Sequence, residues 1–219
     1  MQTEKPKIAA FDVDGTLTFT DSFLLFLRFV SGRWFFLFNI IKLLPVFLAY
    51  GVRLISRDEA KNRILSVFLK NMPQEKYLRK CQEFARIAYP IIARADGISC
   101  LKSHQAIGDV VVFVSASLED YLIPWAHSLG VKHIIATKME VKNGKLTGKM
   151  AGANCRAQEK VDRIRAIFGD AEIIAAYGDS RGDKELLAAS HTPYYRKLVD
   201  EPAEANRIKR ALYWGNLLV

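Results

Sequence analysis

The segment KIAAFDVDGTLT, Lys7 to Thr18, decides the fold. Its apolar run Ile8-Ala9-Ala10-Phe11 predicts a short buried strand over Lys7–Val13. Asp12, Asp14 and Gly15 mark the end of that strand and the turn that follows it.

Working outward, DVVVFVS (Asp109–Ser115) is a second strand, rich in β-branched residues. A helix is expected from about Leu118 to Leu129, then a third strand at His133–Thr137. MEVKNGKLTG reads as a hairpin turning on Asn143-Gly144. Next come a helix over Gln158–Phe168 and a fourth strand, Glu172–Tyr177, ending at Gly178-Asp179. A short helix (Asp183–Ala189) and a fifth strand near Thr192–Arg196 close the pattern. Strands alternating with helices imply an α/β fold, a parallel sheet with helices on both faces. The first strand joins the rest across a helical insertion. The expected division is therefore a core of residues 1–18 and 100–219, with a helical cap over 19–99.

Bulk properties narrow the class. The 219 residues are half hydrophobic and one quarter charged, a globular composition. The net charge is +9, from 32 basic and 23 acidic residues. A basic surface favours anionic partners, whether nucleic acid, acidic lipid or phosphorylated substrates. No zinc-finger spacing and no basic groove-binding helix is present, so nucleic acid is set aside. Cys81, Cys100 and Cys155 are odd in number, far apart and without metal spacing, which fits a reduced, cytosolic setting. His104, His127, His133 and His191 are scattered and read as surface or core residues. The N-terminal MQTEKPKIAAFD is not expected to be a signal peptide, because its apolar run is too short.

In an open α/β sheet, ligands bind beyond the carboxyl ends of the strands. Asp12, Asp14, Ser115 and Asp179 all fall at such ends. A carboxylate can attack a phosphoryl group to form an aspartyl-phosphate. A second carboxyl two positions along can protonate the leaving oxygen and then activate water. Crowded carboxylates repel, and a bound cation offsets that; magnesium prefers oxygen ligands of this kind. The bland alternative is that strand-end aspartates only start turns. Two acidic clusters at one sheet edge argue against it. Ser115 can hold a phosphate oxygen or cap the helix before Leu118; Ser117 is the better candidate for the cap. Lys160 lies early in a helix, where its charge opposes the dipole, which suggests recruitment to an anion.

These residues resemble the haloacid dehalogenase superfamily of phosphatases over most of the chain. FDVDGTLT (Phe11–Thr18) looks like the first motif of that family. VSAS (Val114–Ser117) looks like the second, with Ser115 and the neighbouring Ala116 on the substrate phosphate. Lys160 in QEKV is similar to the third, and YGDSRGD (Tyr177–Asp183) to the fourth. The resemblance implies a Rossmann-like parallel sheet with a helical cap inserted after the first strand. It implies Asp12 as nucleophile and magnesium ligand, and Asp14 as general acid/base that binds Mg2+ through its main-chain carbonyl. Lys160 would balance charge between the nucleophile and the phosphate, Asp179 would ligate the metal, and Asp183 would support the metal shell. The insertion between the first two motifs is similar to the phosphoserine phosphatase-like subgroup and, in its apolar texture, to phosphatidylglycerophosphatase C-like enzymes. Asn154-Cys155-Arg156-Ala157 occupies a loop where such relatives often carry a glycine.

The segment Ser22–Arg57 is strongly apolar and aromatic, with Arg28, Arg33, Lys42, Arg53 and Arg57 and no acidic residue. Its expected breaks are Ser31-Gly32 and Pro45. From Asp58 to about Ala95 the pattern is amphipathic and helical. The apolar segment either packs as the core of the cap or meets a membrane. A single crossing would part Asp12 from Lys160 and Asp179. Folded as a hairpin, Ser22–Val52 gives legs of roughly 23 Å, short of the about 30 Å hydrocarbon core. An interfacial contact with an anionic surface is the expectation. Arg207, Lys209 and Arg210 before Ala211-Leu212-Tyr213-Trp214 offer either a second such contact or a terminal helix on the sheet.

The expected activity is Mg2+-dependent phosphomonoester hydrolysis on a lipid phosphate such as phosphatidylglycerophosphate. The expected place is the inner face of the cytoplasmic membrane. The alternatives are a soluble small-metabolite phosphatase, a phosphotransferase, and a membrane adaptor without catalysis.

Overall fold

The computed structural model describes residues 5–214. Residues 1–4, the start of the stretch read as no signal peptide, and the Trp214 side chain lie outside what is described. The strands are β1 (Lys7–Phe11), β2 (Val110–Leu118), β3 (His133–Thr137), β4 (Met139–Lys142), β5 (Lys145–Met150), β6 (Glu172–Gly178) and β7 (Thr192–Tyr195). Five of them form a parallel sheet in the order β3-β2-β1-β6-β7. Between β1 and β2 run α1 (Ser22–Ser31), α2 (Arg33–Lys42), α3 (Leu44–Gly51), α4 (Arg57–Leu69), α5 (Gln74–Ile92) and α6 (Ala95–Ala106). After β2 come α7 (Glu119–Ser128), α8 (Gln158–Phe168), α9 (Lys184–Ala188) and, past β7, α10 (Ala205–Trp214).

Side chains alternate across a strand, so β1 feeds two cores. Ile8 and Ala10 join Val112, Val114, Val161 and Ile164 beneath α8 and α9. Ala9 and Phe11 join Phe113, Tyr177 and the buried side chains of the inserted helices. A strand covered on both faces needs no polar alternation, which is why Ile8–Phe11 reads as one apolar run. The central position of β1 brings its carboxyl end between those of β2 and β6.

The apolar segment divides in two. In α1, Leu25, Phe26 and Leu27 are fully buried, and the Phe26 ring meets Tyr77, Phe84 and Tyr121. At Gly32, φ is +77° and the chain turns by 117° into α2. Only Phe36 and Asn39 are buried in α2, and none in α3. The second break falls at Leu43 rather than Pro45; Pro45 sits in the first turn of α3, where its missing N–H costs no hydrogen bond. Among the described residues no single helix is long and apolar enough to cross a membrane. The bent pair of α1 and α2 has the composition, but α1 is already spent on the core.

The amphipathic stretch after Asp58 is two helices, since Asn71 takes φ +65° and Pro73 opens a new turn. The β4–β5 hairpin, with Asn143 at φ +51° and Gly144 at +70°, packs on α4. Met150 N donates to Asn62 Oδ1 at 2.8 Å, and Leu146 N to Met72 O at 2.9 Å. These bonds fix α4 over the carboxyl edge of the sheet. The terminal helix α10 docks beside α1, not on the sheet: Leu212 is buried, and Tyr213 Oη donates to Asp21 O at 3.0 Å.

Candidate active site

The turn after β1 closes through Thr16 N and Leu17 N, which both donate to Val13 O. Gly15 has φ +85°, and a Cβ there would stand 2.3 Å from Asp179 Oδ2. Glycine thus provides the left-handed turn and also lets Asp179, at the end of β6, close against β1. Asp12 N donates to Tyr177 O at 2.9 Å, which fixes Asp12 to the last rung of the sheet.

From the first turn of α8, Lys160 reaches the same edge and is 1% exposed. Its Nζ donates to Asp12 Oδ1 at 2.5 Å and to Asp183 Oδ1 at 2.6 Å. Ser180 N and Oγ donate to Asp183 Oδ2 at 3.0 and 2.8 Å. Burial works against the Lys160 charge, but Asp12 and Asp183 outweigh it and hold the ammonium above the ordinary lysine range. Burial also pushes Asp183 up, and Lys160 with Ser180 overcomes it, so Asp183 lies below the usual carboxylate value. For Asp12 burial wins over Lys160, and the carboxyl rises to about 8.

Asp14 faces the other way. Its Oδ1 accepts from Ser22 N at 2.9 Å, and its Oδ2 accepts a short hydrogen bond from Ser117 Oγ. Burial and then the Asp21 charge push it up to about 7, against the pull of these donors. Ser117 is therefore not the helix cap that its position suggested. β2 runs on through Leu118 with an irregular register after Ser115, and α7 begins without a side-chain cap. Ser115 is 1% exposed, and its Oγ accepts from Ser117 N at 3.0 Å.

Carboxylate oxygens of Asp12, Asp179 and Asp183 lie within 4.8 Å of one another. Burial first, and then the Asp183 charge, raise Asp179. Such crowding of hard oxygen donors suits a divalent cation that takes oxygen ligands. Asp183 has both oxygens engaged by Lys160 and Ser180, so Asp12 and Asp179 are the members suited to ligation.

These groups open onto a cavity of about 710 Å³. Asp12, Asp14, Ser115, Ala116, Lys160, Asp179 and Asp183 all line it. So do Asn154 and Arg156, from the loop where similar enzymes often carry a glycine, and Lys61, which the sequence reading passed over. Lys61, half-buried on α4, donates a short hydrogen bond to Ala116 O and one of 2.9 Å to Asn154 Oδ1. Thr137 Oγ1 donates to the same two acceptors. Burial lowers Lys61 to about 8, partly offset by Asp21, Asp58 and Asp14. A signal was available: Lys61 lies three and four positions before Ile64 and Leu65, on the buried stripe of α4, where a charged residue is out of place.

Comparison with known proteins agrees with this geometry. Residues 9–188 match the haloacid dehalogenase-like hydrolase family. The protein CicA of Caulobacter vibrioides is 36% identical over 204 residues, covering 91% of this chain and 90% of its own. A Bordetella pertussis protein of unknown function superposes with a TM-score of 0.72 at 25% identity, over 85% of this chain and 87% of its own. A phosphoserine phosphatase solved as a phospho-aspartyl intermediate analogue shares the fold, with a TM-score of 0.58 at 22% identity over 85% and 84% of the two chains. With the match spanning both halves of the sheet and the whole catalytic edge, the chain belongs to the haloacid dehalogenase-like hydrolase family.

Proposed function

We propose that this hydrolase is a phosphatase that cleaves phosphomonoesters through an aspartyl-phosphate on Asp12, and that its substrate is a lipid phosphate met at a membrane surface. Asp12 is fixed at the sheet edge and held by Lys160, so its carboxylate is oriented for in-line attack on phosphorus. As the P–O bond to the leaving group breaks, Asp14 supplies the proton to the departing oxygen. Asp14 then takes a proton from water, which attacks the acyl-phosphate and releases inorganic phosphate, regenerating Asp12. Ser115, the Ala116 main chain and Lys160 hold the phosphoryl oxygens. Asp12, Asp179 and the Asp14 main-chain carbonyl would hold magnesium, with Asp183 supporting that shell. When bound, the ion would offset the charge of the clustered carboxylates and the phosphate.

The lipid half of the reading rests on one observation: the apolar face of α2 and α3 is exposed and borders the cavity. Trp34 is 76% exposed and Leu48 69%, while Phe47 and Tyr50, on the same helix as Leu48, line the cavity. Arg33, Lys42, Arg53 and Arg57 flank this face without an acidic neighbour in the segment. Such a face suits the anionic inner surface of a cytoplasmic membrane, with the headgroup entering beside α3.

The test is magnesium-dependent phosphate release in mixed micelles, comparing phosphatidylglycerophosphate with phosphoserine, and Asp12→Asn as the blank. Preference for the lipid supports the full reading. Preference for the soluble ester sinks the lipid half and leaves a metabolite phosphatase. Transfer of phosphate to an alcohol in place of water would make the enzyme a phosphotransferase. No release from any ester would leave a membrane adaptor.

A further inference from the structure

We propose that Arg57 and Lys61, on one face of α4, bind a second anionic group carried by the leaving-group side of the substrate. This rests on the phosphomonoesterase reading and narrows its substrate class to esters whose alcohol bears its own phosphodiester or carboxylate.

The two residues are four apart on a helix and so share a face, and both line the cavity. The other buried cation at the site, Lys160, is already paired with two carboxylates. Lys61 is not: its hydrogen bonds go to a carbonyl and an amide oxygen, both neutral. Two of the three acids that act on it from a distance, Asp14 and Asp21, are engaged by other donors. Asp14 accepts from Ser22 and Ser117, and Asp21 from Phe23 N and Leu24 N. The Phe23 ring centroid lies 5.3 Å from Lys61 Nζ, and of the three ammonium donors one is left over from the bonds to Ala116 O and Asn154 Oδ1 for a ligand. A half-buried cation whose acidic neighbours act only from a distance, with no carboxylate in direct contact, is costly, and an arriving anion relieves that cost. Arg57 Nε donates to Tyr50 Oη at 3.1 Å, which fixes the side chain at the cavity wall and leaves four further N–H groups.

Position matters as much as charge. Lys61 is tied to Ala116 O, one residue beyond Ser115, so it sits beside the place assigned to the scissile phosphate without replacing Ser115 or Lys160 there. The hairpin holds α4 through the Asn62 bond, one residue from Lys61. The cations are thus in place before substrate arrives, which lowers the ordering cost of binding.

The experiment uses the purified full chain with magnesium and three esters: the lipid ester of the assay above, which carries a phosphodiester; phosphoserine, which carries a carboxylate; and phenyl phosphate, which carries neither. The quantity read is kcat/KM for each ester relative to phenyl phosphate. Wild type should favour one anion-bearing ester. In Lys61→Gln that preference should fall at least tenfold, mainly through KM, with most of it restored in Lys61→Arg. Arg57→Gln, at an exposed position, should lower the same ratio without threatening the fold. The ester that loses its advantage identifies whether the second anion is a diester or a carboxylate. An equal fall for all three esters would overturn the proposal, since Lys61 would then act on the shared phosphate or on the fold. A wild type without preference for either charged ester would also overturn it, while leaving the phosphatase reading intact. Failure to cleave any of the three would defeat that reading first.

Discussion

Lys160 Nζ stands 2.5 Å from Asp12 Oδ1, although 148 positions separate the two in sequence. One contact thus ties the first strand to the helix that covers the opposite face of the sheet. Both groups are nine-tenths or more buried, so this pair is costly to break from one side only. Lys160→Met would leave Asp12 and Asp183 facing each other in the core. The expected loss is about 3–5 kcal/mol of stability, read by urea unfolding. Phosphate release should fall roughly 10²–10³-fold, as for loss of one transition-state donor. A variant with full stability would show that the ion pair is not structural.

Asp12, Asp179 and Asp183 repel one another at their spacing within 4.8 Å. A cation that relieves this repulsion binds only the folded chain, so it should raise the melting temperature. At 100 times its dissociation constant the gain is about 2.7 kcal/mol. Titration of the EDTA-treated protein with Mg2+ should show that rise in the wild type and little of it in Asp179→Asn. Equal shifts in the two proteins would remove Asp179 from the ligand set.

Ala157 carries a backbone that glycine would hold more easily. Its φ is +56° and its ψ −131°, nearly the values that Gly169 adopts at the other end of α8. Ala157 N donates to Gly182 O at 2.8 Å, and this bond keeps the loop in place. Strain of this kind costs about 1–3 kcal/mol, and added freedom of the unfolded chain takes back about 0.4–1 kcal/mol. Ala157→Gly should therefore stabilise the protein by about 1 kcal/mol, visible as a higher urea midpoint with an unchanged slope. A loss of stability would mean that the Ala157 methyl packs better than its dihedrals suggest.

What the sequence carried, and what it withheld, follows from the range of each signal. β3 and α8 were legible to the residue, because β-branched runs and helix periods are local. Asp12, Asp14, Ser115 and Asp179 were legible because strand ends converge in any parallel sheet, and Lys160 because a cation early in a helix opposes the dipole. Ser117 was misread, since its neighbours suggest a helix cap, and only the irregular end of β2 turns its hydroxyl to Asp14. Lys61 was missed for a different reason. Its partners, Ala116 and Asn154, are 55 and 93 positions away, and the contact exists only because the hairpin holds α4 over the sheet. The break at Ser31-Gly32 was legible and falls where expected, but the uniform apolar texture of residues 22–57 hid that it separates a core helix from an exposed pair.

That exposed pair gives the remaining prediction. Trp34, Ile41, Leu48 and Leu54 are each more than 60% exposed, so replacing them should leave unfolding within roughly 0.5 kcal/mol of wild type. Their loss should matter only where the face is covered. Full burial of a large apolar side chain is worth about 1.5–3 kcal/mol, and partial insertion at an interface about half of that. Trp34→Ser with Leu48→Ser should then weaken co-sedimentation with vesicles of anionic phospholipid by roughly one to two orders of magnitude, at about 1.4 kcal/mol per tenfold. Wild-type binding should fall on vesicles of neutral phospholipid, and fall again with added salt, because Arg33, Lys42 and Arg53 would supply the electrostatic part. A wild-type chain that stays in the supernatant at low salt, while self-associating through the same residues, would assign this face to a second copy of the chain. The lipid substrate would then lose the observation that supports it, whereas the assignments at Asp12 and Lys160 would stand on their own geometry.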